Sequence, residues 1–137
     1  MSAENDFVRE EARNIGIVLK HIQELLAKPQ WNAYELAAMG TFLHNAYSGV
    51  ERILRCRLTE GGKLPKADES WHRNLLRRAL ETSFLTEIQH SVLFDLLQFR
   101  HFYVHGYAHL LDEARLRRIA ESALPVIGEF LSGASPL

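Results

Sequence analysis

Apolar residues recur every three or four positions through almost the whole of this chain, and nowhere at every second position. That periodicity suits helices and argues against half-buried strands. Only four prolines and eight glycines interrupt it, so the helices can be long. From about Asn5 to Lys28 the stripe is Phe7, Ile15, Val18, Leu19, Ile22, Leu25 and Leu26. Lys28-Pro29 stops it, because the residue before a proline is pushed out of the helical region. Asn32 is placed to cap a second helix. That helix runs to about Thr59 and buries Leu36, Met39, Leu43, Tyr47, Val50, Ile53, Leu54 and Leu58. Gly61-Gly62-Lys63-Leu64-Pro65 is the clearest break.

A short third helix begins near Ser70, with Asp68 and Ser70 both able to cap it, and buries Leu75, Leu76, Ala79 and Leu80. Thr82-Ser83 breaks the pattern. Thr86 caps a fourth helix, with Glu87 in its favourable first turn. Ile88, Val92, Leu93, Leu96, Leu97 and Phe99 are its apolar residues. Gly106 is the first residue able to end or bend it. A last helix runs from an Asp112 cap to Leu131, on Leu116, Ile119, Ala123, Val126, Ile127 and Phe130. Pro125 is expected to kink or shorten it, and residues 132–137 to fray. The expectation is an all-α, mostly up-and-down bundle of four long helices plus one short one, a single domain over residues 1–137.

Composition limits the function. At 47% hydrophobic and 24% charged, the chain has the profile of a folded globular protein. A formal net charge of -1 gives no global basic field, so nucleic-acid binding would need a local patch. One cysteine, Cys56, allows no internal disulfide and fits a reducing cytoplasm. It reads as a structural thiol. No apolar run is long enough to cross a bilayer, and residues 1–11 carry no signal-peptide core. There is no Gly-rich phosphate loop and no serine nucleophile elbow.

The ionisable chemistry gathers in Gln98-Phe99-Arg100-His101-Phe102-Tyr103-Val104-His105-Gly106-Tyr107. Arginine is a fixed cation whose planar fork matches phosphate. Histidine gives or takes a proton near neutral pH. Arg100 and His105 are in principle sufficient for metal-free RNA cleavage, the histidine moving the proton and the arginine stabilising the phosphate. From local chemistry alone the plainer reading is a surface or salt-bridged arginine and a hydrogen-bonded, half-buried histidine. On an ideal helix, residues five apart are rotated by about 140°, and residues seven apart, such as Arg100 and Tyr107, by only about 20°. The pair converges only if the helix ends or distorts, or if a second chain brings its own pair.

Three other features are candidates. His101, His105 and His109 form an i, i+4, i+8 ladder that invites zinc, but Gly106 sits inside it and no carboxylate or thiol lies at a partnering position. No metal and no cofactor are expected, and His101 reads as a polar neighbour of Arg100. On the second helix His44, Tyr47, Ser48, Glu51 and Arg55 share a face. A buried Glu51 needs a partner, which Arg100 or Arg55 would supply; an ordinary solvated stripe with Glu51–Arg55 as an i,i+4 pair is the alternative. On the third helix His72, Arg73 and Arg77 form a basic patch suited to an RNA backbone or an acidic partner; a solvated face is the plainer alternative.

The run Arg100-His101-Phe102-Tyr103-Val104-His105 resembles the signature of HEPN domains, and its continuation to Tyr107 gives the Arg-x4-His-x-Tyr spacing of HepT toxins. Phe42 to Leu54 and Ser70-Trp71-His72 with Leu75-Leu76 look similar to the same branch. The resemblance spans roughly Ala33 to Leu116 in order. It implies a homodimer in which two Arg…His motifs meet in one cleft, and a metal-independent endoribonuclease toxin. Arg100 would bind phosphate, His105 act as acid/base and His101 tune it. It also implies a nucleotidyltransferase antitoxin as partner, with Tyr107 the position it would modify with AMP. Some members of that superfamily are non-catalytic partner- or nucleotide-binding subunits, which is the alternative.

Overall fold

The computed structural model describes residues 3–59, 70–106 and 111–134. The described residues form five helices and no strands: α1 (Ala3–Leu26), α2 (Ala33–Leu58), α3 (Trp71–Glu81), α4 (Glu87–Val104) and α5 (Glu113–Ala134). Each helix packs on the next, and α2 touches all the others. The all-α bundle of four long helices and one short one is therefore the fold. No helix among the described residues is long and apolar enough to cross a membrane.

The caps lie where the side chains place them. Asn32 accepts from the Glu35 backbone N–H at 2.8 Å, and Glu35 returns a bond to the Asn32 N–H at 3.0 Å. Thr86 and Gln89 repeat this reciprocal arrangement at the start of α4. Asp112 accepts from the N–H groups of Ala114 and Arg115. Ser70 occupies the cap position of α3, but its hydroxyl makes no capping bond and accepts from Asn74 instead. Asp68 and the Gly61–Pro65 break lie outside the described residues.

Three details depart from the expected pattern. Phe7 is 43% exposed, and Val8 is buried in its place. Val8, Ile15 and Ile22 are seven apart and share a face to within about 40°, so the register follows them. Ile88 is 71% exposed while neighbouring Gln89 is buried. Gln89 has two partners there: its Oε1 caps α4, and its Nε2 donates to Glu129 at 3.0 Å. α5 does not end at Leu131 but continues to Ala134, with Pro125 inside it.

Close approach of α1 to α2 depends on Gly49. A Cβ there would lie 2.6 Å from Ile15 Cγ1 and 2.8 Å from Ile15 Cδ1. Gly49→Ala should therefore destabilise by about 1–3 kcal/mol through overpacking. Chemical denaturation would register this as a lower midpoint at unchanged slope. The α1–α2 turn is fastened by Trp31, whose indole N–H donates to the Leu25 carbonyl at 2.8 Å. Arg117 lies 4.1 Å over the Trp31 ring and donates to the Lys28 carbonyl, joining this turn to α5.

Candidate functional site

α4 carries Arg100 inside its regular part and ends within one residue of His105. His105 is the C-cap, and Gly106 adopts φ +85, the left-handed position that glycine fills without strain. The helix thus stops directly after the Arg…His run.

Arg100 is half-buried, and its Nε is buried without a hydrogen-bond partner among the described residues. Such an atom is normally satisfied, so the Arg100 guanidinium keeps one donor uncommitted. Arg100 lines a cleft of about 300 Å³ with His72, Arg73 and His101, over an apolar floor of Phe94 and Leu97. Arg73 and His101 are exposed. His101 also meets His105, ring against ring edge, with centroids 4.2 Å apart. His105 is exposed and is not one of the cleft walls. One chain therefore brings Arg100 and His101 into one cleft and His101 against His105, and the lining of that cleft does not include His105.

Beneath the cleft lies a buried polar group. Glu51 is 6% exposed and Tyr47 is fully buried. Tyr47 Oη donates to Glu51 Oε2 at 2.7 Å, and His72 Nδ1 lies 2.6 Å from the same oxygen. Burial and the adjacent Glu51 carboxylate push the Tyr47 hydroxyl above its ordinary pKa, so it stays a donor. The expected partner of Glu51, Arg100 or Arg55, is thereby corrected. Arg55 lies instead 4.9 Å over the Trp71 ring, and α3 swings His72 in to take its place. Arg77 lies apart from the cleft, donating to Asn74 and paired with Glu81 at 3.8 Å.

His44 stacks on Tyr103 with centroids 5.2 Å apart. The Tyr103 hydroxyl is 2.8 Å from Thr41 Oγ1, and its ring is seated against Gly40, where a Cβ would lie 3.3 Å away. No sequence signal announced this seat, which only the α2–α4 contact creates. The His44 Nδ1 is also buried without a partner among the described residues. Burial first, and then the Arg100 charge, hold the His44 pKa below its ordinary 6.5. As pH falls below about 6.5 the unfolded chain takes up this proton while the folded chain resists it, so stability is lost. His44→Gln should lose stability less steeply than the parent between pH 7 and pH 5, read by thermal unfolding.

Tyr107 and His109 lie outside the described residues. Among those described, no three His, Cys, Asp or Glu side chains gather as a metal site.

An Arg…His run closing the fourth helix of an all-α bundle is the arrangement that the resemblance to HEPN domains implies. A family model described as HepT-like protein matches residues 38–133, most of the chain. The protein belongs to the HepT-like family, among the toxin-related members of the HEPN superfamily. No curated protein and no solved structure matches it.

Proposed function

We propose that this HepT-like protein is a metal-independent endoribonuclease toxin that acts as a homodimer, with a nucleotidyltransferase antitoxin as its partner. The observation that carries the reading is the Arg100 cleft: a guanidinium with a vacant buried donor, walled by His72, Arg73 and His101. Arg100 would bind the scissile phosphate and offset its developing charge. His105 would move the proton, with His101 packed against it to orient the ring. Because His105 lies off the Arg100 cleft in one chain, a second copy related by a two-fold axis would supply the histidine that faces it. Tyr107, seven residues beyond Arg100, is the proposed site of AMP attachment by the antitoxin. The adduct would add negative charge and bulk beside the phosphate site.

The purified protein should cut RNA in the presence of EDTA. Mixing inactive Arg100→Ala and His105→Ala chains should restore cutting, since the mixed dimer holds one site with both residues intact. A mixture that stays inactive would show that each chain works alone. Nucleotide binding without any RNA cleavage would instead support the non-catalytic subunit.

A further inference from the structure

The cleft holds one more anchored ring than the Arg…His run supplies. A carboxylate as buried as Glu51 needs donors, and as an ion it can only accept. Tyr47 is one donor, and the 2.6 Å contact makes His72 Nδ1 the other. In the neutral imidazole this places the hydrogen on Nδ1 and the lone pair on Nε2. The ring is braced by Trp71, edge-on with centroids 4.6 Å apart, and Trp71 in turn lies under Arg55. His72 Nε2 has no partner among the described residues, and His72 is a wall of the Arg100 cleft. Neither other nearby histidine is held this way. His44 is stacked under Tyr103 away from the cleft walls, and His101 is exposed against His105.

We propose that His72 is the general base of the centre, with Glu51 its positioning residue. This rests on the ribonuclease reading. Nε2 takes the proton of a ribose 2′-hydroxyl whose phosphate is held by Arg100. The 2′-oxygen forms its bond to phosphorus, and the bond from phosphorus to the 5′-oxygen breaks. A protonated His105 delivers its proton to that 5′-oxygen. The products are a 2′,3′-cyclic phosphate and a free 5′-hydroxyl, and one histidine has gained the proton that the other lost. The imidazolium left at His72 stays paired with Glu51.

The test compares RNA with an otherwise identical substrate whose scissile 5′-oxygen is replaced by sulfur, a leaving group that departs without a proton. His72→Gln should slow single-turnover cleavage of both by about 10²–10⁴-fold, without weakening binding of a 2′-deoxy analogue. His105→Ala should be slow on RNA and recover on the sulfur substrate. Added imidazole should speed His72→Ala. Glu51→Gln should also slow cleavage, by up to about 10⁴-fold, because an amide at that place can hold the wrong tautomer of His72. The rising limb of the pH–rate profile should vanish in His72→Gln. The groups that face His72 and stay present are Glu51, Tyr47 and the Trp71-bound Arg55, with Arg73 on its own helix and Arg100 and His101 from α4.

Recovery of His72→Gln on the sulfur substrate would make His72 the acid and overturn the assignment. Parent-like cutting by His72→Gln, alongside a dead His105→Ala, would remove His72 alone. A parent protein that cuts no RNA overturns both readings. Should His72→Gln fail to fold, nitrogen NMR of the parent decides: a neutral ring carrying its hydrogen on Nε2 overturns the proposal.

Discussion

His105→Ala should lower single-turnover RNA cleavage by about 10²–10⁴-fold, the range for losing a positioned proton donor. It should do so with little cost to the fold. The His105 side chain is exposed, and its described contact is the edge of His101. The helix end depends on the backbone: the His105 N–H donates to the His101 carbonyl at 3.2 Å, and Gly106 supplies the positive φ. Alanine keeps both. Stability should therefore shift by no more than about 0.5 kcal/mol. Cleavage in EDTA, paired with a thermal melt of the same sample, separates the two effects. Equal activity in parent and variant would sink the ribonuclease assignment.

Phe99→Ala should have the opposite profile. Phe99 is 1% exposed, its ring 5.8 Å from Tyr103, one residue before Arg100. Removing a buried phenyl costs about 3–5 kcal/mol, part transfer and part cavity. Against a total stability of roughly 5–15 kcal/mol, that is a fall in Tm on the order of 10–20 °C. Ile88→Ala, in the same helix, should change stability by less than about 0.5 kcal/mol, because Ile88 already faces water. Denaturant midpoints of the two variants provide the check, and equal values would mean that burial along this face of α4 does not fall off from Phe99 to Ile88.

The contrast between Ile88 and Phe99 marks how much of the site was legible beforehand. Both belong to the apolar pattern of α4 and, eleven apart, share a face to within about 20°, so periodicity alone cannot say that one is buried and the other exposed. In the first turn it is Gln89 that is buried instead of Ile88, its amide capping the helix and reaching Glu129 across the bundle. The same limit applies to Glu51. Its need for a donor followed from burial and charge, yet the donor proved to be His72, twenty-one positions away, beyond a glycine break that hides any spacing.

What the sequence determined by itself was local. Helical period, the caps at Asn32, Thr86 and Asp112, and the halt at Gly106 all follow from forces acting within four residues. So does the crowding of ionisable groups between Arg100 and His105. Tertiary structure alone decided which side chains meet. Gly49 lets α2 close on Ile15 of α1, Gly40 seats Tyr103, and α3 turns His72 onto Glu51. These pairings depend on where helices cross, and a crossing is set by the shape of both surfaces rather than by the pattern of either.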